Sequence, residues 1–131
     1  MIGIVFVSHS AKLAEGVKDL ASQMTRGGVK LAPAGGDAEG GIGTSVERIA
    51  GAIREVSGDD GVLVLMDLGS AVMSAQMAVE NLAGEAGDVL LSDAPLVEGG
   101  VVAAVEASIG RSLHDVNEAA LGARVMRKVE G

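Results

Sequence analysis

Two short and almost uninterrupted apolar runs, residues 2–7 and 62–66, constrain the fold of this chain more than any other feature. Neither run alternates apolar with polar residues, so each predicts a strand that is covered on both faces. Strands of this kind occur in parallel sheets, where helical crossovers cover both faces. Each run is followed by a polar turn and then by helical spacing, which predicts a doubly wound α/β fold.

The remaining segments continue this alternation. Weaker runs at residues 29–31 and 88–91 predict two further strands. Apolar positions three and four apart predict a first helix with one buried stripe, made of Leu13, Val17, Leu20, Ala21 and Met24. We therefore expect a three-layer, doubly wound, mainly parallel sheet of four or five strands with helices on both faces. Residues 1–131 are expected to form a single domain.

The sequence also predicts the remaining helices and one glycine-rich loop. Thr44 and Glu47 have the spacing of a capping box and predict the start of the second helix. Val101, Val102, Val105 and Ile109 predict another helix before Gly110, and the last helix is expected from Ser112 onward. Residues 34–43 are dense in glycine and predict a mobile loop near the carboxyl ends of the strands, where open α/β sheets have their ligand crevice. This loop lacks the lysine of a nucleotide-binding P-loop.

Composition excludes several classes of function. The chain has no cysteine, and hence no disulfide, thiolate metal site or cysteine nucleophile, and Phe6 is its only aromatic residue. A net charge of −8 disfavours nucleic acid as a partner. No apolar run approaches the roughly 18–20 residues that a membrane helix needs. We expect a cytoplasmic protein without membrane insertion and without a metal site.

Candidate reactive residues lie where the predicted central strands end. In open α/β sheets the ligand crevice is outside the carboxyl ends of the strands, and His9 stands there between Ser8 and Ser10, at the start of the first helix. A neutral imidazole is a nucleophile that can carry a phosphoryl group. Ser8 and Ser10 are expected to lie near the phosphate.

Asp67 ends the third predicted strand and Ser70 follows it. If strands one and three are adjacent, the Asp67 carboxylate can accept a hydrogen bond from Nδ1 of His9, which fixes the tautomer and leaves Nε2 to react. Ser70 is a further phosphate neighbour or a helix cap. From the residues alone a second interpretation stays open, because a single histidine after a strand is often a surface or helix-capping residue.

Three segments carry a resemblance to a known family. Residues 3–10, 13–16 and 67–71 read Gly-Ile-Val-Phe-Val-Ser-His-Ser, Leu-Ala-Glu-Gly and Asp-Leu-Gly-Ser-Ala. Together they resemble the phosphotransfer subunits of bacterial dihydroxyacetone kinases, which belong with the mannose-family enzyme IIA domains of the phosphoenolpyruvate-dependent phosphotransferase system. Residues 34–36, 43–45 and 95–99 fall where those subunits carry loops.

The resemblance implies that residues 1–131 form a single phosphotransferase enzyme IIA-like domain. It also implies an enzyme subunit with a phosphohistidine intermediate. HPr would donate a phosphoryl group to His9, oriented by Asp67, and His9 would pass it to ADP on the nucleotide-binding subunit of the kinase. A third subunit would bind dihydroxyacetone. The resemblance also implies a homodimer, and it implies that ADP and Mg²⁺ are held by the partner subunit, with no cofactor on this chain. Some related subunits continue into an HPr-like domain. Residues 1–131 are expected to form only the enzyme IIA-like domain, so we expect the phosphoryl donor to be a separate protein.

Three alternative functions also fit the sequence. A mannose-family sugar-transport enzyme IIA would use the same His9 chemistry with a transport subunit as acceptor. A flavodoxin-like regulatory domain would bind a small molecule at the glycine-rich loop without covalent chemistry. An interaction module would dock partners through the acidic second half of the chain.

Overall fold

The strands form one parallel sheet in a computed structural model that describes residues 1–25 and 27–130. They lie side by side in the order β2-β1-β3-β4, and the bounds are β1 (Gly3–Ser8), β2 (Lys30–Gly35), β3 (Val62–Met66) and β4 (Val89–Leu91). Every adjacent pair is parallel. The two strongest apolar runs of the sequence therefore form the two central strands.

Helices cover both faces of this sheet. They are α1 (Ala11–Gln23), α2 (Val46–Val56), α3 (Gly69–Leu82), α4 (Leu96–Ser108) and α5 (Leu113–Leu121), followed by a short 3₁₀ helix, Gly122–Val125. One face of the sheet packs on α2 and α3, and the other on α1, α4 and α5. The prediction of a three-layer, doubly wound parallel sheet is confirmed, with four strands in the described part of the chain.

The predicted stripe of α1 is partly wrong. Ala14, Val17 and Ala21 are buried, but Leu13, Leu20 and Met24 are exposed. Small side chains at the contact let the helix approach the sheet and α4 closely, and the larger side chains are left outside that contact. Periodicity identified the helix, but size decided which of its residues face the core.

The same effect is stronger in α4, which begins at Leu96 and so includes most of a segment expected to be a loop. Its buried positions include Gly99, Gly100 and Ala103. The larger apolar residues that predicted the helix are only partly buried at Val101 and Val102 and exposed at Val105 and Ile109. An ideal Cβ on Gly100 would lie 2.9 Å from Cε1 of Phe6. The helix backbone therefore lies almost against the sheet.

Two boundaries also differ around the glycine-rich loop. β2 extends to Gly35, beyond the predicted residues 29–31, and a Cβ on Gly35 would lie 2.5 Å from the carbonyl oxygen of Ser10. α2 is capped by Ser45, whose hydroxyl accepts from the Arg48 amide, whereas the Thr44 hydroxyl bonds to that of Ser74. The predicted cap was therefore one residue early.

Among the residues that the structure describes, none of the helices is both long enough and apolar enough to cross a bilayer.

Replacing Gly100 with alanine is expected to lower the free energy of unfolding by about 1–2 kcal/mol, because the added methyl group overlaps the Phe6 ring. Gly51 in α2 has nothing within 4 Å of an ideal Cβ, so Gly51→Ala is the matched control. The control should gain about 0.5–1 kcal/mol from helix propensity. Urea unfolding of both variants measures the difference, and an equal gain in both would contradict the close packing of α4.

Candidate active site

The central pair of strands brings His9 and Asp67 together across 58 positions of sequence. Val7 in β1 lies opposite Met66 in β3, and each strand then ends within two residues. The Asp67 amide donates to the Val7 carbonyl at 3.1 Å, which extends the ladder to the site itself. Both side chains thus leave the carboxyl edge of the sheet at neighbouring points, as the sequence predicts.

The Asp67 carboxylate is held by four hydrogen bonds. Oδ1 lies 2.9 Å from Nδ1 of His9 and accepts from the Leu68 amide at 2.7 Å. Oδ2 accepts from the Ser8 hydroxyl at 2.8 Å and from the His9 amide at 3.0 Å. The carboxylate therefore contacts both the backbone and the ring of His9, and its orientation is fixed.

These hydrogen bonds determine the charge of Asp67. Its partial burial by itself would raise the pKa, but the bonds from the His9 amide, the Ser8 hydroxyl, the His9 ring and the Leu68 amide together lower the pKa below its ordinary value. Asp67 is consequently ionised near neutral pH and can only accept hydrogen bonds. In a neutral His9 ring the hydrogen then resides on Nδ1, and Nε2 carries the free lone pair.

Nε2 of His9 is directed at the first turn of α3. The Ser70 hydroxyl contacts this nitrogen and, because Nε2 carries no hydrogen in that tautomer, the hydroxyl is the donor. α3 starts at Gly69, and Leu68 before it provides no side-chain cap. The His9 side chain is 22% exposed, and its contact with Ser70 lies at the surface whereas its contact with Asp67 is partly buried. The helix that faces this nitrogen is α3, whereas the sequence suggested the start of α1.

Unlike Ser70, Ser8 and Ser10 have hydroxyl groups that bond to groups other than the His9 ring. Ser8 is fully buried, and its hydroxyl donates to Asp67 and accepts from the Ser10 amide at 3.0 Å. The Ser10 hydroxyl caps α1 by accepting from the Leu13 amide at 3.2 Å. The structure therefore does not place Ser8 where an incoming phosphate could reach it, and it gives the Ser10 hydroxyl a capping contact.

Sequence reasoning missed the contact between the glycine-rich loop and His9. The Gly43 amide donates to the His9 carbonyl at 2.9 Å, and the Gly36 amide donates to the Ser8 carbonyl at 3.3 Å. The loop thus packs on the backbone that carries the imidazole. The signal available in the sequence was Asp37 among the glycines, since aspartate side chains commonly bond to amides two or more residues ahead.

The fold and this site define a class: a doubly wound parallel α/β domain in which the first strand delivers a histidine onto an aspartate at the end of the neighbouring central strand. Residues 3–117, which include both side chains, match the sequence model of the family described as the PTS system fructose IIA component, or EIIA-man. The chain belongs to this family of phosphotransferase-system IIA domains.

Several proteins of known name are similar to the chain. It is 43% identical to the phosphoryl donor subunit of the PEP-dependent dihydroxyacetone kinase of Klebsiella michiganensis, over 99% of this chain and 28% of that protein. Identity to the corresponding Escherichia coli subunit is 46%, over 88% of this chain and 25% of that protein. The chain thus spans about a quarter of the length of these relatives.

Shorter relatives match along most of their length. The phosphoryl donor subunit of PEP-dependent dihydroxyacetone kinase 2 of Listeria innocua is 37% identical, over 86% of this chain and 90% of that protein. Among solved structures, the protein of unknown function EF1359 superposes with a TM-score of 0.84 at 28% identity, over 99% of this chain and 100% of that one. The fold and its extent are therefore shared with an experimentally determined structure.

Replacing Asp67 with asparagine is expected to cost about 1–3 kcal/mol of unfolding free energy near pH 6, because hydrogen bonds to a charged acceptor are lost. The wild-type carboxylate has a lowered pKa in the folded state, so its contribution is complete above its ordinary value of 3.8 and is lost as the pH falls through the folded value. The gap between the two proteins should therefore narrow below about pH 4.

Urea unfolding at several pH values measures this gap. Asp59→Asn is the control for loss of one surface charge. Asp59 is exposed and precedes β3, so it lies at the amino ends of the strands, opposite to the site. A gap between wild type and Asp67→Asn that stayed constant down to pH 2.5 would contradict the ionised, hydrogen-bonded state of Asp67.

Proposed function

We propose that this chain is a phosphoryl carrier of the phosphoenolpyruvate-dependent phosphotransferase system. It accepts a phosphoryl group from phosphorylated HPr on Nε2 of His9 and transfers it to ADP on the nucleotide-binding subunit of a dihydroxyacetone kinase. The observation that carries this proposal is the pairing of Nδ1 with the ionised Asp67, which leaves Nε2 unprotonated and able to act as the nucleophile. The names of the relatives support the kinase as the acceptor.

The transfer step follows from the contacts around the ring. The Nε2 lone pair attacks the phosphorus, a new N–P bond forms, and the bond to the donor breaks in line. The ring becomes positively charged while its hydrogen remains on Nδ1, and Asp67 stabilises that charge at 2.9 Å. Asp67 is thus an orienting residue before the step and a counter-charge after it.

Ser70 has to release Nε2 before the phosphorus can approach. Its hydroxyl can rotate and donate to a phosphoryl oxygen, because it remains within reach of the same nitrogen. The first turn of α3 has no side-chain cap, and its amides and dipole favour the added negative charge. Ser10 lies beside His9 as a further hydroxyl, while Ser8 acts through Asp67.

The second transfer reverses the chemistry with a new acceptor. An oxygen of the ADP β-phosphate attacks, the N–P bond breaks, and His9 returns to its neutral state with its hydrogen still on Nδ1. ADP and Mg²⁺ belong to the partner subunit in this proposal, and this chain binds no cofactor of its own. We further propose a cytoplasmic homodimer that meets HPr and the nucleotide-binding subunit, and works with the dihydroxyacetone-binding subunit.

A second candidate is favoured by the family to which the chain belongs, described as a fructose IIA component. In that case His9 would perform the same chemistry and hand the phosphoryl group to a sugar-transport subunit. Mixing the phosphorylated chain with ADP and the nucleotide-binding kinase subunit distinguishes the two. Formation of ATP supports the kinase, and retention of the phosphoryl group supports the transport subunit as acceptor.

The central prediction is that His9→Ala abolishes phosphoryl uptake without unfolding the protein, because it removes the nucleophile from a partly exposed position. Intact mass after incubation with phosphoenolpyruvate, enzyme I and HPr should show an acid-labile adduct on the wild type and none on this variant. His114→Ala, at an exposed position in α5, is the matched histidine control and should keep the adduct.

The Asp67→Asn variant should keep the folded state and take up the phosphoryl group more slowly, since it loses both the orientation and the counter-charge. Circular dichroism verifies the fold of each variant. An adduct on His9→Ala would refute the proposed nucleophile, and an unchanged rate for Asp67→Asn would refute the role of that carboxylate.

A further inference from the structure

The glycine-rich loop, predicted at residues 34–43, begins in the structure after β2 ends at Gly35, and residues 36–44 connect three parts of the site. It donates from Gly36 to the Ser8 carbonyl and from Gly43 to the His9 carbonyl. At its end the Thr44 hydroxyl lies 2.6 Å from that of Ser74 in α3. The loop therefore touches the backbone on both sides of the histidine, and also the helix that faces Nε2.

Asp37 organises this loop from within. Its Oδ1 accepts from the Glu39 amide at 3.0 Å and from the Gly41 amide at 2.8 Å. Its own amide donates to the Gly41 carbonyl at 3.0 Å, and its carbonyl accepts from the Gly40 amide at 3.0 Å. Four hydrogen bonds thus close the loop around a single aspartate.

The glycines leave room for that aspartate and for no larger neighbour. An ideal Cβ on Gly41 would lie 3.2 Å from Oδ2 of Asp37, and one on Gly43 would lie 3.2 Å from its Cβ. Gly43 also has a φ of +151°, a conformation that L side chains rarely adopt. The loop is therefore wrapped closely around Asp37, and Gly43 is held with its amide toward His9.

We propose that Asp37 is a positioning residue for His9. This role rests on the function proposed above and adds to it a residue whose hydrogen bonds lie within the loop and not on the imidazole ring. The His9 peptide is fixed on both sides, because its amide donates to Asp67 and its carbonyl accepts from Gly43. Asp37 keeps the second of these bonds in place, and so keeps the ring in line with Asp67 while the phosphoryl group is transferred.

The first test uses the unphosphorylated chain and does not depend on the carrier function. In Asp37→Ala the Gly43 amide should exchange its hydrogen about tenfold faster, because two side-chain hydrogen bonds that close the loop are lost. Asp37→Asn keeps the Oδ1 acceptor and should exchange like the wild type. Asp59→Ala removes the same charge at the opposite edge of the sheet and should have no effect.

The amide of Gly87 donates to the Gly84 carbonyl at 3.1 Å in a turn before β4, at the amino ends of the strands, and such a turn opens locally. It reports whether an effect is confined to the glycine-rich loop and should exchange at the same rate in all four proteins. An unchanged Gly43 exchange rate in Asp37→Ala would overturn the proposal. Should Asp37→Ala fail to fold, Asp37→Glu replaces it, since it retains the charge and displaces the acceptor by one methylene group.

The second test measures phosphoryl uptake from phosphorylated HPr. Loss of positioning should lower kcat about tenfold in Asp37→Ala with KM for HPr unchanged, and Asp37→Asn should restore kcat. An unchanged kcat, a rise in KM alone, or an Asp37→Asn variant as slow as Asp37→Ala would each overturn the proposal. A wild-type chain that never takes up the group would instead refute the carrier function, while the exchange test would still report on the loop.

Discussion

The hydrogen-bonded pairing of β1 with β3 is the interaction on which the site depends. Its register places Val7 opposite Met66. Asp67, which follows Met66, therefore lies where its carboxylate accepts hydrogen bonds from the Ser8 hydroxyl and the His9 amide. A register shift of one residue would direct the Asp67 side chain to the other face of the sheet. The geometry of the reactive pair is therefore set first by the two buried central strands, and the glycine-rich loop adds one hydrogen bond to the His9 carbonyl.

Close packing of backbone on backbone supports that arrangement. Gly35 lets the end of β2 approach Ser10, Gly100 lets α4 lie on Phe6, and Gly3 faces Val56 with no space for a side chain. A chain with one aromatic residue has little large apolar volume to fill gaps, so density is reached by bringing elements together. The abundance of glycine and alanine, which by itself suggests flexibility, here accompanies a tightly packed sheet and a loop fixed by Asp37.

The parallel sheet and the His9–Asp67 pair could be predicted from the sequence. The features that the sequence did not predict have physical causes. The uninterrupted runs ending at Val7 and Met66 identify central parallel strands, and the rule that ligands bind at strand carboxyl ends then selects His9 and Asp67. Hydrophobic periodicity could not show that Leu20 and Ile109 are exposed, because the close approach through glycine and alanine depends on tertiary contacts. The burial of Ser8 and the bond from Gly43 to His9 were equally invisible, since they depend on which strands and loops are adjacent.

The proposed phosphoryl transfer depends most on which nitrogen of His9 reacts, and nitrogen NMR of the chain labelled with ¹⁵N-histidine measures this directly. Before phosphorylation we predict a ring with its hydrogen on Nδ1, held by Asp67 at 2.9 Å, and a free Nε2. After phosphorylation we predict coupling between ³¹P and Nε2, with the hydrogen still on Nδ1. Coupling between ³¹P and Nδ1 would contradict the account, because that nitrogen could not then be held by the Asp67 carboxylate.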